Sequence, residues 1–235
     1  MEQSYQLDDA TQTLLASLKA FCLPGGEDAA RRVRGVKTTQ QGEMCSAPGA
    51  RWMSFTADER IDATQSSFCW EARYGSSRLG QFMVTDAYEE GRGRLVVKLG
   101  GLIPVKKFSG PDFDKGEIQR YFSSILMCPS MLLNHPTLEF STAGKLSLRV
   151  RDRNDPTGAT VDFEINEIGR LVACRAERPR LLGKQTVSTP WSGTCTEFQE
   201  WEGLRVARLI EVCWCLPEGT FTYYRSEITS YAVWP

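Results

Sequence analysis

The sequence predicts a mainly β (α+β) fold, with a curved antiparallel sheet or half-open barrel wrapped around a central helix and a further helix at the N-terminus. From residue 34 onward, short runs of alternating apolar and polar residues follow one another with turn residues between them. A single helical pattern interrupts them, and no long helix follows each strand, which argues against a parallel α/β sheet. We therefore expect an N-terminal helix and linker over residues 1–33, packed on one β-rich ligand-binding domain over residues 34–235.

The first helix is predicted over about residues 9–23. Asp8 and Asp9 are residues that cap helix N-termini, and Pro24-Gly25-Gly26 stops the helix. An apolar stripe on one side must be covered by an edge or open face of the main domain, and it consists of Leu14, Leu15, Leu18, Phe21 and Cys22.

Alternation with a period of two predicts the strands. In residues 161–165 every second residue is apolar, and Gly169 makes a tight turn before a second run over residues 171–178, which together indicate a hairpin. Runs at residues 205–216 and 221–234 are joined across Pro217-Glu218-Gly219. Further strands are predicted around residues 51–55, 68–72, 95–99 and 145–151.

The central helix follows residues 110–114 and is ended or kinked by Pro129. Its apolar stripe is Ile118, Tyr121, Phe122, Ile125 and Leu126. Its second row is Glu117, Arg120, Tyr121 and Ser124, which would point into a cavity if the helix covered the mouth of the sheet. The alternative is a surface pair between Glu117 and Arg120.

Charge and composition exclude several classes of function. The chain has 28 Lys and Arg against 29 Asp and Glu, so no net charge favours nucleic acid or an anionic membrane. No apolar stretch approaches the roughly 18 residues of a membrane span, so no membrane insertion is expected. The N-terminus shows no secretory pattern, and the eight scattered cysteines suggest reduced thiols, so we expect a cytoplasmic protein.

Cofactor and metal motifs are missing from the sequence. There is no P-loop, nucleophile elbow or His-Glu-x-x-His pattern, so no cofactor is expected. A zinc site at Cys213 and Cys215 would need two further ligands, and the chain has one His, so no metal is expected. The two thiols share one face of a strand with Glu211, and we expect them to form part of a pocket wall.

Two further candidates have ordinary alternatives. His135 is the single imidazole and a candidate for proton transfer, or else a loop residue that caps a helix or faces solvent. Arg175 and Arg178 could clamp an anion, or could pair across the hairpin with Asp162 or Glu164. The many strand aromatics could line an apolar pocket for a planar ligand.

The order of short motifs resembles the bacterial DUF6544 family from about residue 34 to the C-terminus. These motifs include Cys69-Trp70-Glu71-Ala72, Asp86-Ala87-Tyr88, Gly116-Glu117-x-x-Arg120-Tyr121, Arg175-Ala176-Glu177-Arg178, Thr189-Pro190-Trp191, Glu211-Val212-x-Trp214 and Tyr224-Arg225. The resemblance implies a soluble β-rich domain without established activity, comparable in shape to the open-barrel lipoprotein carriers. The resemblance implies that the site residues include Trp70, Tyr88, Glu117, Arg120, Tyr121, Arg178 and Tyr224.

This chain departs from the family pattern at two positions of the central helix. Ser124 stands where the family has an acidic residue, and Met127 where it has a Trp. Both positions fall where a cavity would be, which suggests a different ligand.

These observations favour a cofactor-independent enzyme, of cyclase, isomerase, hydratase or lyase type. It would act by acid/base catalysis on an apolar or aromatic small molecule bound between sheet and helix. The expected catalytic residues are Glu117, His135, Tyr121 and Tyr224. The expected ligand-binding residues are Trp70, Tyr88, Arg120, Ser124, Met127, Arg178, Trp191, Glu211, Cys213 and Cys215.

Two alternatives stay open. One is a non-catalytic carrier or sensor that binds a hydrophobic ligand in the same cavity. The other is a partner-binding module with a shallow pocket and a large exposed apolar patch. A homodimer is also compatible with the sequence.

Overall fold

The computed structural model describes residues 7–75, 81–183 and 185–235, so residues 1–6 of the expected N-terminal segment lie outside the described residues. Within the described ranges the helices are α1 (Asp9–Cys22), α2 (Glu27–Arg31), α3 (Pro111–Ser123) and α4 (Met131–Asn134), with a 3-10 turn at Ser124–Leu126. The strands are β1 (Gly35–Met44), β2 (Met53–Asp62), β3 (Phe68–Tyr74), β4 (Phe82–Glu89), β5 (Arg92–Leu99), β6 (Ile103–Phe108), β7 (Leu138–Gly144), β8 (Ser147–Asp152), β9 (Val161–Ile165), β10 (Leu171–Leu182), β11 (Gln185–Trp201), β12 (Leu204–Leu216) and β13 (Gly219–Trp234).

The described strands form one thirteen-stranded antiparallel sheet. Its order is β6-β5-β4-β3-β2-β1-β13-β12-β11-β10-β9-β8-β7. The chain therefore makes two meanders, a first arm of β1–β6 and a second arm of β7–β13. They join side by side where β1 pairs with β13. The predicted hairpins at β9–β10 and β12–β13 are confirmed.

Helix α1 covers part of the second arm, as its apolar stripe predicts. The Asp8 carboxylate accepts a hydrogen bond from the Thr11 backbone N–H at 2.8 Å and caps the helix. Leu14, Leu15 and Leu18 are buried on this helix, which packs against β7, β8 and β12. The division between residues 1–33 and 34–235 remains a prediction.

Helix α3 lies across the inner face of the sheet and contacts both arms. It packs on β4 and β5 of the first arm and on β9 and β10 of the second. Its Asp114 carboxylate accepts from the Gly93 backbone N–H on β5, and the Gly116 carbonyl accepts from Arg178 on β10. Because β5 and β10 are far apart in the sheet order, the sheet must curve around the helix. A mainly β sheet wrapped around a central helix is thus confirmed.

In the part of the chain that the structure describes, no helix has the length and apolar character needed to cross a bilayer.

Candidate functional site

One half of the concave face is not covered by helix α3. The helix lies over the middle of the strands, near Glu59 of β2 and Asp86 of β4. Beyond the helix, the strands extend toward the β1–β2, β5–β6 and β10–β11 turns. Because side chains alternate with a period of two, every second residue of these strands lies on the same concave face. We call this surface the groove. It is lined by Met44, Met53, Phe82, Leu99, Ile103, Leu182, Val187, Trp214 and Phe221.

Large apolar side chains in the groove are exposed to solvent. Met53 is 46% exposed, Phe82 43%, Ile103 63%, Leu182 46% and Val187 43%. Exposed apolar side chains gathered on a concave surface are typical of a ligand site rather than of a bare sheet face.

Aromatic rings form the inner end of the groove. Phe55 stacks on Tyr224 with centroids 5.4 Å apart and meets Trp70 edge-on at 5.4 Å. On the second arm, the Trp191 indole N–H donates to the Tyr223 hydroxyl at 2.9 Å. Of the predicted residues, Trp70, Trp191 and Tyr224 are therefore brought together here.

A buried ion-pair network lies beneath these rings. Arg120 donates to the Asp86 carboxylate and to Glu59 Oε1, the latter at 3.2 Å, and its guanidinium lies over the Trp70 ring. Gln40 extends the network, because its Nε2 donates to Glu59 at 2.6 Å and its Oε1 accepts from Tyr224 at 2.8 Å. Burial raises the pKa of Glu59, an effect opposed by Arg120 and Gln40.

Glu117 and Arg178 lie beside this network without forming a hydrogen bond to each other. Glu117 Oε1 is 3.7 Å from Arg178 Nη2, which instead donates to the Gly116 carbonyl at 2.6 Å. Burial, followed by the neighbouring Asp86 carboxylate, raises the pKa of Glu117 to about 8, against a smaller opposing effect of Arg178 and Arg120. The surroundings of Glu117 therefore favour its neutral, protonated form.

Gln40, Glu59 and Asp86 belong to the network, but the sequence reasoning missed them as site residues. A signal existed for Glu59, which occupies the buried position between Ala57 and Ile61 in an alternating strand. A charged residue at a core position requires a buried partner, so such an interruption identifies a polar site.

Two predicted catalytic residues, His135 and Tyr121, lie outside the ion-pair network. The Ser66 hydroxyl donates to Asp152 at 2.7 Å and is 3.2 Å from His135 Nε2. Because its one hydrogen is used by Asp152, Ser66 does not donate to the imidazole. Tyr121 is fully buried and donates to the Asp62 carbonyl at 2.8 Å. The four expected catalytic residues are therefore not together. Glu117 and Tyr224 lie at the ion-pair network, whereas Tyr121 and His135 do not, because the inward face of α3 carries core residues as well as charged ones.

Three predicted ligand-binding residues lie near the helix rather than in the groove; Tyr88 and Ser124 are buried and Met127 is partly buried. Tyr88 lines a separate cavity of about 480 Å³ between the β2–β3 turn, the β4–β5 turn and the loop after β8. The Ser124 hydroxyl donates to the Arg120 carbonyl at 3.2 Å, and Met127 Sδ accepts from Gln40 at 3.8 Å. Ser124 therefore contacts the backbone of Arg120, and Met127 contacts the side chain of Gln40.

Glu211, Cys213 and Cys215 do not line the groove, which contradicts the expected pocket wall. They occupy the convex face of β12, where Glu211 pairs with Arg225 at 2.9 Å. Val212 and Trp214 take the concave face instead, because Trp214 is paired with Trp191. On β10, Arg175 pairs with Glu164 at 2.5 Å, so the ordinary alternative for this arginine is confirmed.

Comparisons with solved structures show the fold. The chain is similar to a DUF1329 family protein from Desulfovibrio piger, with 8% identity, TM-score 0.53 and coverage of 96% of this chain and 94% of that one. A LolA superfamily protein from Nitrosomonas europaea has 8% identity, TM-score 0.51 and coverage of 96% and 94%. A Vibrio parahaemolyticus domain described as outer membrane lipoprotein-sorting has 8% identity, TM-score 0.50 and coverage of 95% and 93%.

The fold comparison corrects two expectations. The predicted cofactor-independent enzyme is wrong: the similar structures include LolA and lipoprotein-sorting proteins, and the candidate acid/base groups are split between two places and held in structural contacts. The predicted cytoplasmic location is also wrong: the similar structures include a domain described as outer membrane lipoprotein-sorting.

Sequence comparison identifies the family. No functionally curated protein matches the chain. Residues 20–226 match DUF6544, described as a family of unknown function. This match spans most of the chain and agrees with the order of motifs from Trp70 to Tyr224. The chain therefore belongs to the DUF6544 family.

Proposed function

We propose that this chain is a non-catalytic carrier of hydrophobic ligands, such as lipids, which it binds in the groove. The observation that carries the proposal is the row of exposed apolar side chains on the concave face beyond α3, among them Met53, Phe82 and Leu182. A surface of this kind loses contact with water when an acyl chain covers it, which gains about 25 cal/mol for each Å² of apolar area removed from water.

The arrangement of the groove suits an elongated ligand. Its inner end is closed by α3 and by the packed rings of Phe55, Trp70 and Tyr224. Its outer end opens between the long hairpins β10–β11 and β12–β13 and the strand ends of the first arm. A ligand can enter along the strands without displacing the helix, as a reversible carrier requires.

The location of the protein forms part of the proposal. Two of the similar structures are named as a LolA superfamily protein and as outer membrane lipoprotein-sorting, and we propose an extracytoplasmic location for this chain as well. Osmotic-shock fractionation of cells that express the chain from its own gene tests this proposal. Retention of the chain in the cytosolic fraction would contradict it.

Adjacent leucines on opposite faces of β10 provide a matched test of the groove. Leu182 faces the groove and is 46% exposed, whereas Leu181 faces the convex side and is 54% exposed. The probe is N-phenyl-1-naphthylamine, whose fluorescence rises in apolar surroundings. We expect the unaltered chain to bind the probe. Leu182→Asp should weaken binding about tenfold or more, because a carboxylate must be desolvated. Leu181→Asp should bind the probe as tightly as the unaltered chain. No binding by the unaltered chain, or equal losses in both variants, would refute the groove as the binding site.

A further inference from the structure

Arg178 is a buried cation whose nearest carboxylate does not hydrogen-bond to it. The residue is 8% exposed, and its Nη2 donates to a neutral acceptor, the Gly116 carbonyl. Among the described residues, Glu117 is the one carboxylate within 4.0 Å of its nitrogens, at 3.7 Å, and Nε has no hydrogen-bond partner. A buried guanidinium in this state carries a large desolvation cost that an anion would offset.

Glu117 is a weak partner for this cation. It does not hydrogen-bond to Arg178, and burial and the carboxylate of Asp86 raise its pKa to about 8, which favours its protonated form. Arg120 shows the contrast within the same network, because it donates to both Asp86 and Glu59. The network thus gives one arginine two hydrogen-bonded carboxylates and leaves the other with one carboxylate that does not hydrogen-bond to it.

Arg178 lies at the inner end of the groove. Its guanidinium is 4.8 Å from the centre of the Trp191 ring, and it shares a face of β10 with Arg180 and Leu182. The exposed tenth of its side chain is the point at which a headgroup can reach it. Exposed apolar side chains that lead to Arg178, with Arg180 on the same face beside the Trp214 ring, match a molecule with a long chain and an anionic end.

We propose that Arg178 binds the carboxylate headgroup of a long-chain fatty acid whose hydrocarbon chain lies in the groove. This inference rests on the proposed carrier function and specifies the ligand class for the same site. A guanidinium forms strong, directional hydrogen bonds with a carboxylate, whereas a neutral ester offers weaker acceptors.

The test compares two chain-matched fluorescent probes at pH 7, cis-parinaric acid and its methyl ester. We expect the unaltered chain to bind the acid at least tenfold more tightly than the ester. Arg178→Gln should reduce the acid-to-ester affinity ratio to about one, and Arg178→Lys should keep a preference for the acid. Arg175→Gln is the matched control, because it removes the same charge from the convex face of the same strand.

The outcomes separate this inference from the carrier proposal. Equal affinity of the unaltered chain for acid and ester would overturn the role of Arg178 while the carrier proposal stands. Failure to bind either probe would overturn both. Displacement of the acid by acetate at equal concentration would show a small-anion site and also overturn the inference. Because Arg178→Gln alters a buried contact, thermal melts of each variant accompany the titrations, and the acid-to-ester ratio of the unaltered chain is decisive even if that variant unfolds.

Discussion

A Cβ atom added to Gly93 would lie 3.0 Å from Cγ of Glu117, so α3 rests directly on the backbone of β5 at this position. The Phe113 carbonyl oxygen would be 2.9 Å from the same atom, and the Asp114 carboxylate accepts from the Gly93 N–H at 2.7 Å. The absence of a side chain at Gly93 thus sets how closely the helix approaches the first arm.

Gly93→Ala should destabilise the chain by about 1–3 kcal/mol, because the added methyl group forces α3 away from β5. Gly116→Ala is the matched control. Its Cβ would meet Arg178 Nη2 at 3.6 Å, an ordinary contact, and alanine in a helix interior gains roughly 0.5–1 kcal/mol over glycine. Urea denaturation of both variants measures the difference. A Gly93→Ala variant as stable as the unaltered chain would mean that α3 does not depend on this contact.

Arg120→Met should cost about 3–5 kcal/mol, because it leaves the buried carboxylates of Glu59 and Asp86 without their cation. Arg149→Met removes a pair with Asp162 in which Arg149 is 46% exposed, and should cost less than about 1 kcal/mol. Comparable denaturation midpoints for the two variants would contradict the structural role assigned to Arg120.

The raised pKa of Glu117 predicts a pH dependence of stability. Three charged groups face it, Asp86 of β4, Arg178 of β10 and Arg120 of its own helix, and Tyr223 of β13 is also in electrostatic range. Below pH 4.5 the acid is protonated in both folded and unfolded chains, and its contribution to stability is complete. Between 4.5 and about 8 only the unfolded chain releases the proton, so stability falls at up to about 1.4 kcal/mol per pH unit.

Glu117→Gln should remove this component, because an amide does not titrate. Glu177→Gln, on the exposed face of β10, should retain it. Free energies of unfolding from pH 5 to 9 provide the measurement. If the Glu117→Gln profile is parallel to that of the unaltered chain, Glu117 titrates normally and the neutral-acid assignment is wrong.

The single imidazole of the chain offers a direct spectroscopic test. Burial lowers the pKa of His135 below 6.5, against the opposing charges of Asp152 and Asp62. The unfolded chain therefore takes up the proton first on acidification, and the stability associated with neutral His135 is lost as the pH falls below 6.5. The one histidine resonance in an NMR titration should have its midpoint below 6.5. A midpoint at or above 6.5 would show that Asp152 outweighs burial.

Local alternation predicted most of the fold. The apolar positions of β9 and the turn at Gly169 are properties of neighbouring residues, and they identified the hairpin correctly. The same reasoning placed Cys213 and Cys215 on one face of β12 but chose the wrong face. Alternation separates two faces without showing which one is concave, and that choice depends on the pairing of Trp214 with Trp191 across strands.

The charged network was predictable only at its helix residues and at Glu59, a charge at a buried position in the alternation of β2. Glu117 and Arg120 follow from helical spacing, whereas Asp86 and Gln40 reach them through sheet curvature that no local pattern contains. Tyr224 and His135 are separated for the same reason, because Tyr224 donates to Gln40 of β1, whereas His135 lies beside Ser66 in the β2–β3 turn.

Helix α3 spans the concave side of the curved sheet and contacts both arms. Its contacts with Gly93 through Asp114 and with Arg178 through Gly116, both in the N-terminal half of the helix, fix the distance between the two arms at that level. The arms cannot spread there unless one of these contacts breaks, whereas the strand ends beyond the helix are free of this constraint. The cross-section of a molecule that can be accommodated is therefore limited at the inner end, and bulkier ligands must be accommodated by splaying of the outer hairpins.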